Sequence, residues 1–116
     1  MVDIKLPIRV KSSLNMREHW AAKHRRSAKE RRDVGLVLNT QARPELPCIV
    51  EMTRIAPRKF DDDNLRGAFK AVRDQIAEWL GADDGSDLIE WRYTQERGEP
   101  KEYAIRIKII QKPVAK

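Results

Sequence analysis

Two groups of aspartates carry the residue types best suited to chemistry. Asp61, Asp62 and Asp63 run together and are followed by Asn64; Asp83, Asp84 and Asp87 form a second group further along. Carboxylate oxygens without a thiolate or imidazole beside them suit a hard divalent ion, Mg²⁺ with Mn²⁺ as a substitute, better than zinc. Such an ion serves phosphodiester hydrolysis by neutralising the phosphate, activating a water and stabilising the leaving oxygen. A calcium loop is the nearest rival, but the EF-hand spacing asks for a glycine at its sixth position and neither group fits. A plainer explanation stays open for both groups. Aspartate at a helix start caps it, and Asp-Asp-Gly is ordinary turn chemistry. Adjacent like charges repel unless cations sit among them, and Arg58 and Lys59 stand just before the first group.

The elements that must hold these groups are legible in the apolar spacing. Leu65, Ala68, Phe69, Val72, Ile76 and Leu80 fall at helical period, which predicts a helix from residue 64 to about 80 with aspartates at its positive end and Gly81 as its stop. Strands are predicted at 3–10, where Ile4, Leu6, Ile8 and Val10 alternate with polar residues, and at 48–55, 88–95 and 102–110. In the last of these Tyr103, Ile105, Ile107 and Ile109 mark a buried face, and the turn Arg97-Gly98-Glu99-Pro100 joins the final two strands. Ser27 with Glu30 is a capping box for a helix running to about Thr40, burying Val34, Val37 and Leu38 and ended by Pro44 and Pro47. The 116 residues, 41% of them hydrophobic, suffice for one small domain spanning 1–116. The order β-α-β-α-β-β predicts an α/β fold of the mixed α+β kind, a mixed sheet with helices packed against it.

The segment RKFDDDNLRGAFKAVRDQIAEWLGADDGSD resembles the catalytic core of RusA-type Holliday-junction resolvases. That family's pattern is Asp-x-Asp-Asn at a helix start, a lysine further along the helix, and a later Asp-Asp pair. LPIRVKSSLNMREHW resembles the family's opening strand and its Ser- and Asn-containing turn, so the resemblance covers most of the chain. It implies a Mg²⁺-dependent homodimer that cuts four-way DNA junctions by paired nicks in recombination and repair. It also implies a phage or prophage setting, and hence the cytoplasm of a bacterium or an infected host cell. Carried over, Asp61 and Asp63 match the motif carboxylates, Asn64 the asparagine, and Asp84 the later metal-binding aspartate with Asp83 its neighbour.

The sequence departs from the family where the lysine is expected, at Gly67. Lys70 lies one turn on, and positions 63, 66, 67 and 70 share a face of a continuous helix. Side chains lean toward a helix N-terminus, so Lys70 or Arg66 would reach back to a phosphate, with Lys70 joining Asp61, Asp63 and Asp84 in catalysis. A solvated helix face is the alternative, and with it a non-catalytic DNA-binding module of the same fold. A helix from 64 to 80 is about 25 Å long. Asp63 and Asp84 therefore share an ion only if the acidic loop folds back, or if antiparallel helices of a dimer bring one chain's Asp63 beside the other's Asp84.

Charge supports a polyanionic partner: 24 Lys and Arg against 18 Asp and Glu give a net charge of +6. Arg17, Lys23, Arg25 and Arg26 form the start of a basic arm, and with Arg58, Lys59, Asn64 and Arg66 they are the expected contacts to branched DNA. His19, Trp20 and His24 are interleaved with that arm; Trp20 taken alone is expected in the core, and Trp79 and Trp91 are expected to be packing residues. Cys48 is the single cysteine, which excludes an intrachain disulfide and a Cys-based zinc site, and its apolar strand predicts burial. No run of apolar residues reaches the roughly 20 that a membrane span needs, so no membrane partner is expected.

Overall fold

The computed structural model describes residues 1–12 and 20–113. Strand β1 (Val2–Leu6) turns Val2, Ile4 and Leu6 inward and is shorter than its alternation suggested. Pro7 has no backbone donor to continue the ladder, and the Ile8 N–H turns back to the Leu6 carbonyl at 2.8 Å.

Helix α1 (Trp20–Leu38) begins well before Ser27, which lies inside it, so the expected capping box does not form. The preceding residues Ala21, Ala22 and Lys23 are good helix formers and extend the helix backward. Trp20, expected in the core, is 69% exposed at the first position and meets His24 edge-on. Val34 and Leu38 are fully buried, as expected, and Val37 is partly so.

Strand β2 (Cys48–Ala56) runs through the middle of a four-stranded sheet of order β1-β4-β2-β3. Helices α2 (Asp62–Ala68) and α3 (Lys70–Leu80) carry the chain from β2 to strand β3 (Ile89–Arg97), which pairs parallel to β2. A parallel pair needs such a crossover. Strand β4 (Ala104–Gln111) runs antiparallel to both β1 and β2. The final two strands are thus not neighbours, because β2 lies between them. Ile105, Ile107 and Ile109 of β4 are wholly buried, whereas much of β3 is exposed or half-exposed. The more apolar strand takes the interior place and the more polar one the edge. The connection between them crosses the end of β2, where the Gly98 N–H donates to the Ala56 carbonyl at 2.9 Å.

The helix expected over 64–80 is two helices separated at Phe69 (φ −91°, ψ 2°). The Phe69 N–H is shared between the Leu65 and Arg66 carbonyls at 3.3 and 3.2 Å, and its ring is fully buried. Gly67 weakens the helix just before this point, and the change of direction sinks Phe69 into the core. Leu65, Ala68, Val72, Ile76 and Leu80 join it there with β-strand residues in one hydrophobic cluster. Gly81 ends α3 in the left-handed conformation (φ 79°), with the Ala82 N–H reaching the Ala77 carbonyl at 3.1 Å. Helix α1 packs on α3 closely enough that a Cβ on Gly35 would lie 3.0 Å from Gln75. Among the described residues no helix is long and apolar enough to cross a membrane.

Candidate functional site

The loop between β2 and α2 is held from beneath by two strand side chains. Gln95 of β3 grips the Phe60 backbone at both ends, accepting from its N–H and donating to its carbonyl, each at 2.8 Å. Arg54 of β2 donates to the Arg58 carbonyl at 2.6 Å. This fixes the chain entering the first aspartate group. Asp61 is the N-cap of α2: its Oδ1 accepts from the Asn64 N–H at 2.9 Å. The capping role left open by the sequence is therefore realised for Asp61. Asn64 is buried, and its side-chain oxygen accepts a hydrogen bond from the Ser12 hydroxyl, 52 positions away in the chain. Asp62 and Asp63 are exposed, as are Arg58 and Lys59.

The second aspartate group folds back beside α3. The Asp84 carbonyl accepts from Arg73 Nη2 and from Trp91 Nε1, both at 2.9 Å, and its carboxylate lies 3.5 Å from Arg73 Nε. Arg73 Nη1 also donates to the Tyr93 hydroxyl at 2.7 Å, and its guanidinium stacks 4.7 Å over Trp91. Asp83 accepts the Gly85 N–H at 3.3 Å, the turn role open to it from sequence. Arg66 lies over Tyr93 at 5.8 Å and shares a hollow with Asp62. Asp62, Arg66, Arg73 and Asp84 thus occupy one side of α2–α3, against the edge strand.

Gly67 and Lys70 face the other way, into a cleft of about 230 Å³ against α1 whose walls also include Lys11, Lys23, Arg26 and Arg31. The expected common face of 63, 66, 67 and 70 is therefore not kept: Arg66 and Gly67, neighbours within α2, line different hollows, while Gly67 and Lys70 stay together across the break at Phe69. Asp63 is exposed in the first turn of α2. Lys70 instead pairs with Asp74 at 3.5 Å. Of the basic arm, Lys23 and Arg25 are exposed, while Arg26 lies 3.8 Å from the buried Glu30. Arg31 ties α1 to Glu78 of α3 at 2.8 Å. Arg17 and His19 lie outside the described residues.

The carboxylates have the donor type for a hard cation, but one chain does not gather them. Among the described residues no group of three or more His, Cys, Asp or Glu side chains is placed to hold a metal. Asp61 caps α2, Asp63 is exposed in the first turn of α2, and Asp84 lies past the end of α3 against Arg73. Compared with known proteins, the chain matches no protein-family model and no curated sequence. What the site can do rests on its own residues.

Sequence reasoning missed Arg73, Tyr93 and Arg54. The signal for Arg73 was present, since Asp62, Arg66 and Arg73 recur at helical spacing. Gly67 gives a direct test of whether the cleft would accept a lysine. A Cβ built there meets nothing within 4 Å. Gly67→Lys is expected to fold and to gain about 0.5–1 kcal/mol from helix propensity alone. A melting temperature unchanged or lowered would show that the site requires glycine.

Proposed function

We propose that this chain is a structure-selective endodeoxyribonuclease of the RusA type, acting as a homodimer on four-way or otherwise branched DNA in recombination and repair. The observation that carries the proposal is the Ser12–Asn64 hydrogen bond. It joins the two stretches on which the resemblance rests, so the opening strand's polar end and the Asp-x-Asp-Asn helix start form one structural unit. The exposed cations Lys23, Arg25, Arg58 and Lys59 and the basic cleft beside Gly67 supply the phosphate contacts that DNA binding needs.

With no group of carboxylates gathered among the described residues of one chain, an assembly of two chains is the proposed form, in which a twofold axis matches a nearly twofold junction. A divalent ion there would supply Lewis-acid activation of water and charge neutralisation. Asp61, Asp63, Asp83 and Asp84 are the proposed carboxylates, with no complete ligand set among the described residues of a single chain.

The test is cleavage of a labelled synthetic four-way junction, with linear duplex as control, in Mg²⁺ and in EDTA. The expected result is symmetric nicking of the junction alone, lost in EDTA. Junction binding without cleavage in Mg²⁺ or Mn²⁺ would replace this reading with a non-catalytic junction-binding module. That second reading is favoured by the glycine at 67 and by carboxylates not gathered among the described residues of one chain. Absence of salt-dependent DNA binding would remove both.

A further inference from the structure

A pocket of about 330 Å³ opens between the segment after β1 and the start of α2, lined by Arg9, Lys11, Ser12, Arg54, Phe60 and Asn64. Three of these are cations, and no carboxylate lines it among the described residues. Its floor is unusual. Arg54 sits in the central strand β2 with only 6% of its surface exposed. Buried charges are ordinarily paired with an opposite charge, since desolvation otherwise penalises them. Arg54 has no carboxylate partner among the described residues. Its Nη1 reaches the Arg58 carbonyl at 2.6 Å and Gln95 Oε1 at 3.4 Å, and the guanidinium lies 3.5 Å over the Phe60 ring. Arg9 is likewise backed by an aromatic ring, 4.0 Å over Tyr103.

Burial draws the Arg54 pKa below the ordinary guanidinium value; Tyr103 offsets this in part, and Arg9 adds to it. The two guanidiniums therefore feel one another across a cavity that an anion would neutralise. A guanidinium presents five donors in a planar fork that suits phosphate oxygens, and only Nη1 is engaged by the protein among the described residues.

We infer that this pocket is a phosphate-binding site, held by Arg54 from below and Arg9 and Lys11 at the rim, and that it seats a backbone phosphate of a nucleic-acid strand. The anion site stands on the pocket itself; assigning it to DNA rests on the endonuclease reading. Phe60 and Asn64 flank the Asp61–Asp63 run, so a phosphate seated here holds the strand beside those aspartates. Arg54 and Arg9 are positioning residues in this arrangement.

The experiment titrates the whole chain with inorganic phosphate in metal-free chloride buffer at matched ionic strength, followed by calorimetry. A short single-stranded oligonucleotide is then tested as a competitor. Wild type is expected to bind phosphate, and the oligonucleotide to displace it. Arg9→Gln and Arg54→Met are expected to weaken phosphate roughly tenfold or more, the scale of a lost hydrogen bond to a charged group. Lys29→Gln, on the exposed side of α1, should leave binding unchanged. Absence of phosphate binding, or equal affinity in wild type, Arg9→Gln and Arg54→Met, would overturn the site. Phosphate binding that the oligonucleotide does not displace would overturn the DNA assignment and leave a free-phosphate site. Arg54 also supports the Arg58 loop, so if Arg54→Met does not fold, the exposed Arg9→Gln decides. None of these readouts needs cleavage, so a failed junction assay leaves their outcome intact.

Discussion

An Asp63→Asn variant is expected to bind a four-way junction about as tightly as the parent chain while cutting it roughly 10²- to 10³-fold more slowly, the scale on which single charge-stabilising groups count in an active site. Asp63 is exposed in the first turn of α2 and is not the cap. Asparagine keeps its volume and removes its charge. Losing that charge at the helix start costs the fold only a few tenths of a kcal/mol to about 1, so a large effect on cleavage would report chemistry. Single-turnover cleavage alongside gel-shift affinity separates the two contributions. Unchanged cleavage would refute the assignment of Asp63. Binding and cleavage lost together would place it in recognition. The comparison with Asp61→Asn is informative because Asp61 already accepts the Asn64 N–H. Asparagine caps a helix about as well as aspartate, so that change is expected to cost little stability, whereas Asp61→Ala is expected to cost about 1 kcal/mol.

The largest effect on stability is expected from Phe69→Ala, at about 3–5 kcal/mol. The ring is fully buried at the junction of α2 and α3 and lies 6.2 Å from Tyr93. Removing it leaves a cavity where two short helices meet the sheet, and α2 has few packing alternatives. Against a typical domain stability of about 5–15 kcal/mol, much of the margin would be gone. Urea denaturation measures it directly. Phe69→Leu, which retains much of the volume, should cost far less. A loss below about 1 kcal/mol for the alanine variant would mean that α2 and α3 close over the gap, and that the break at Phe69 does not depend on this ring.

The elements were readable wherever apolar period was strong. Leu65, Phe69, Val72, Ile76 and Leu80, and Ile105, Ile107 and Ile109 of β4, are all buried as their spacing required. Strand order was not readable, since pairing β2 with β4 is a long-range choice governed by how much each strand must bury. The break at Phe69 was also hidden. A single glycine two residues earlier is a weak local signal, and the competing gain comes from tertiary packing. Trp20 illustrates the opposite error: a large apolar residue was expected inside, but its place at the first turn of α1 leaves the ring in solvent. At the site, sequence found the aspartates without deciding which of them cap, turn or remain available. Arg54 escaped notice because residues 48–55 were read only as a strand, and nothing in the spacing said that Arg54 rather than Glu51 would be buried.

The position of β4 has a consequence for how the protein comes into being. Among the described residues strand β1 pairs only with β4, and β4 also lies against β2, so the strand made first has no strand partner there until the last has emerged. Ser12 lies six residues past the end of that first strand and is joined to the start of α2. During synthesis, which proceeds at about 5–20 residues per second, the aspartates, the helices and β3 are all complete before the opening segment can be locked against them. A nascent or prematurely ended chain therefore carries the acidic residues without the docked framework that orients them. For the proposed activity on branched DNA, that framework is complete only once β4 is in place.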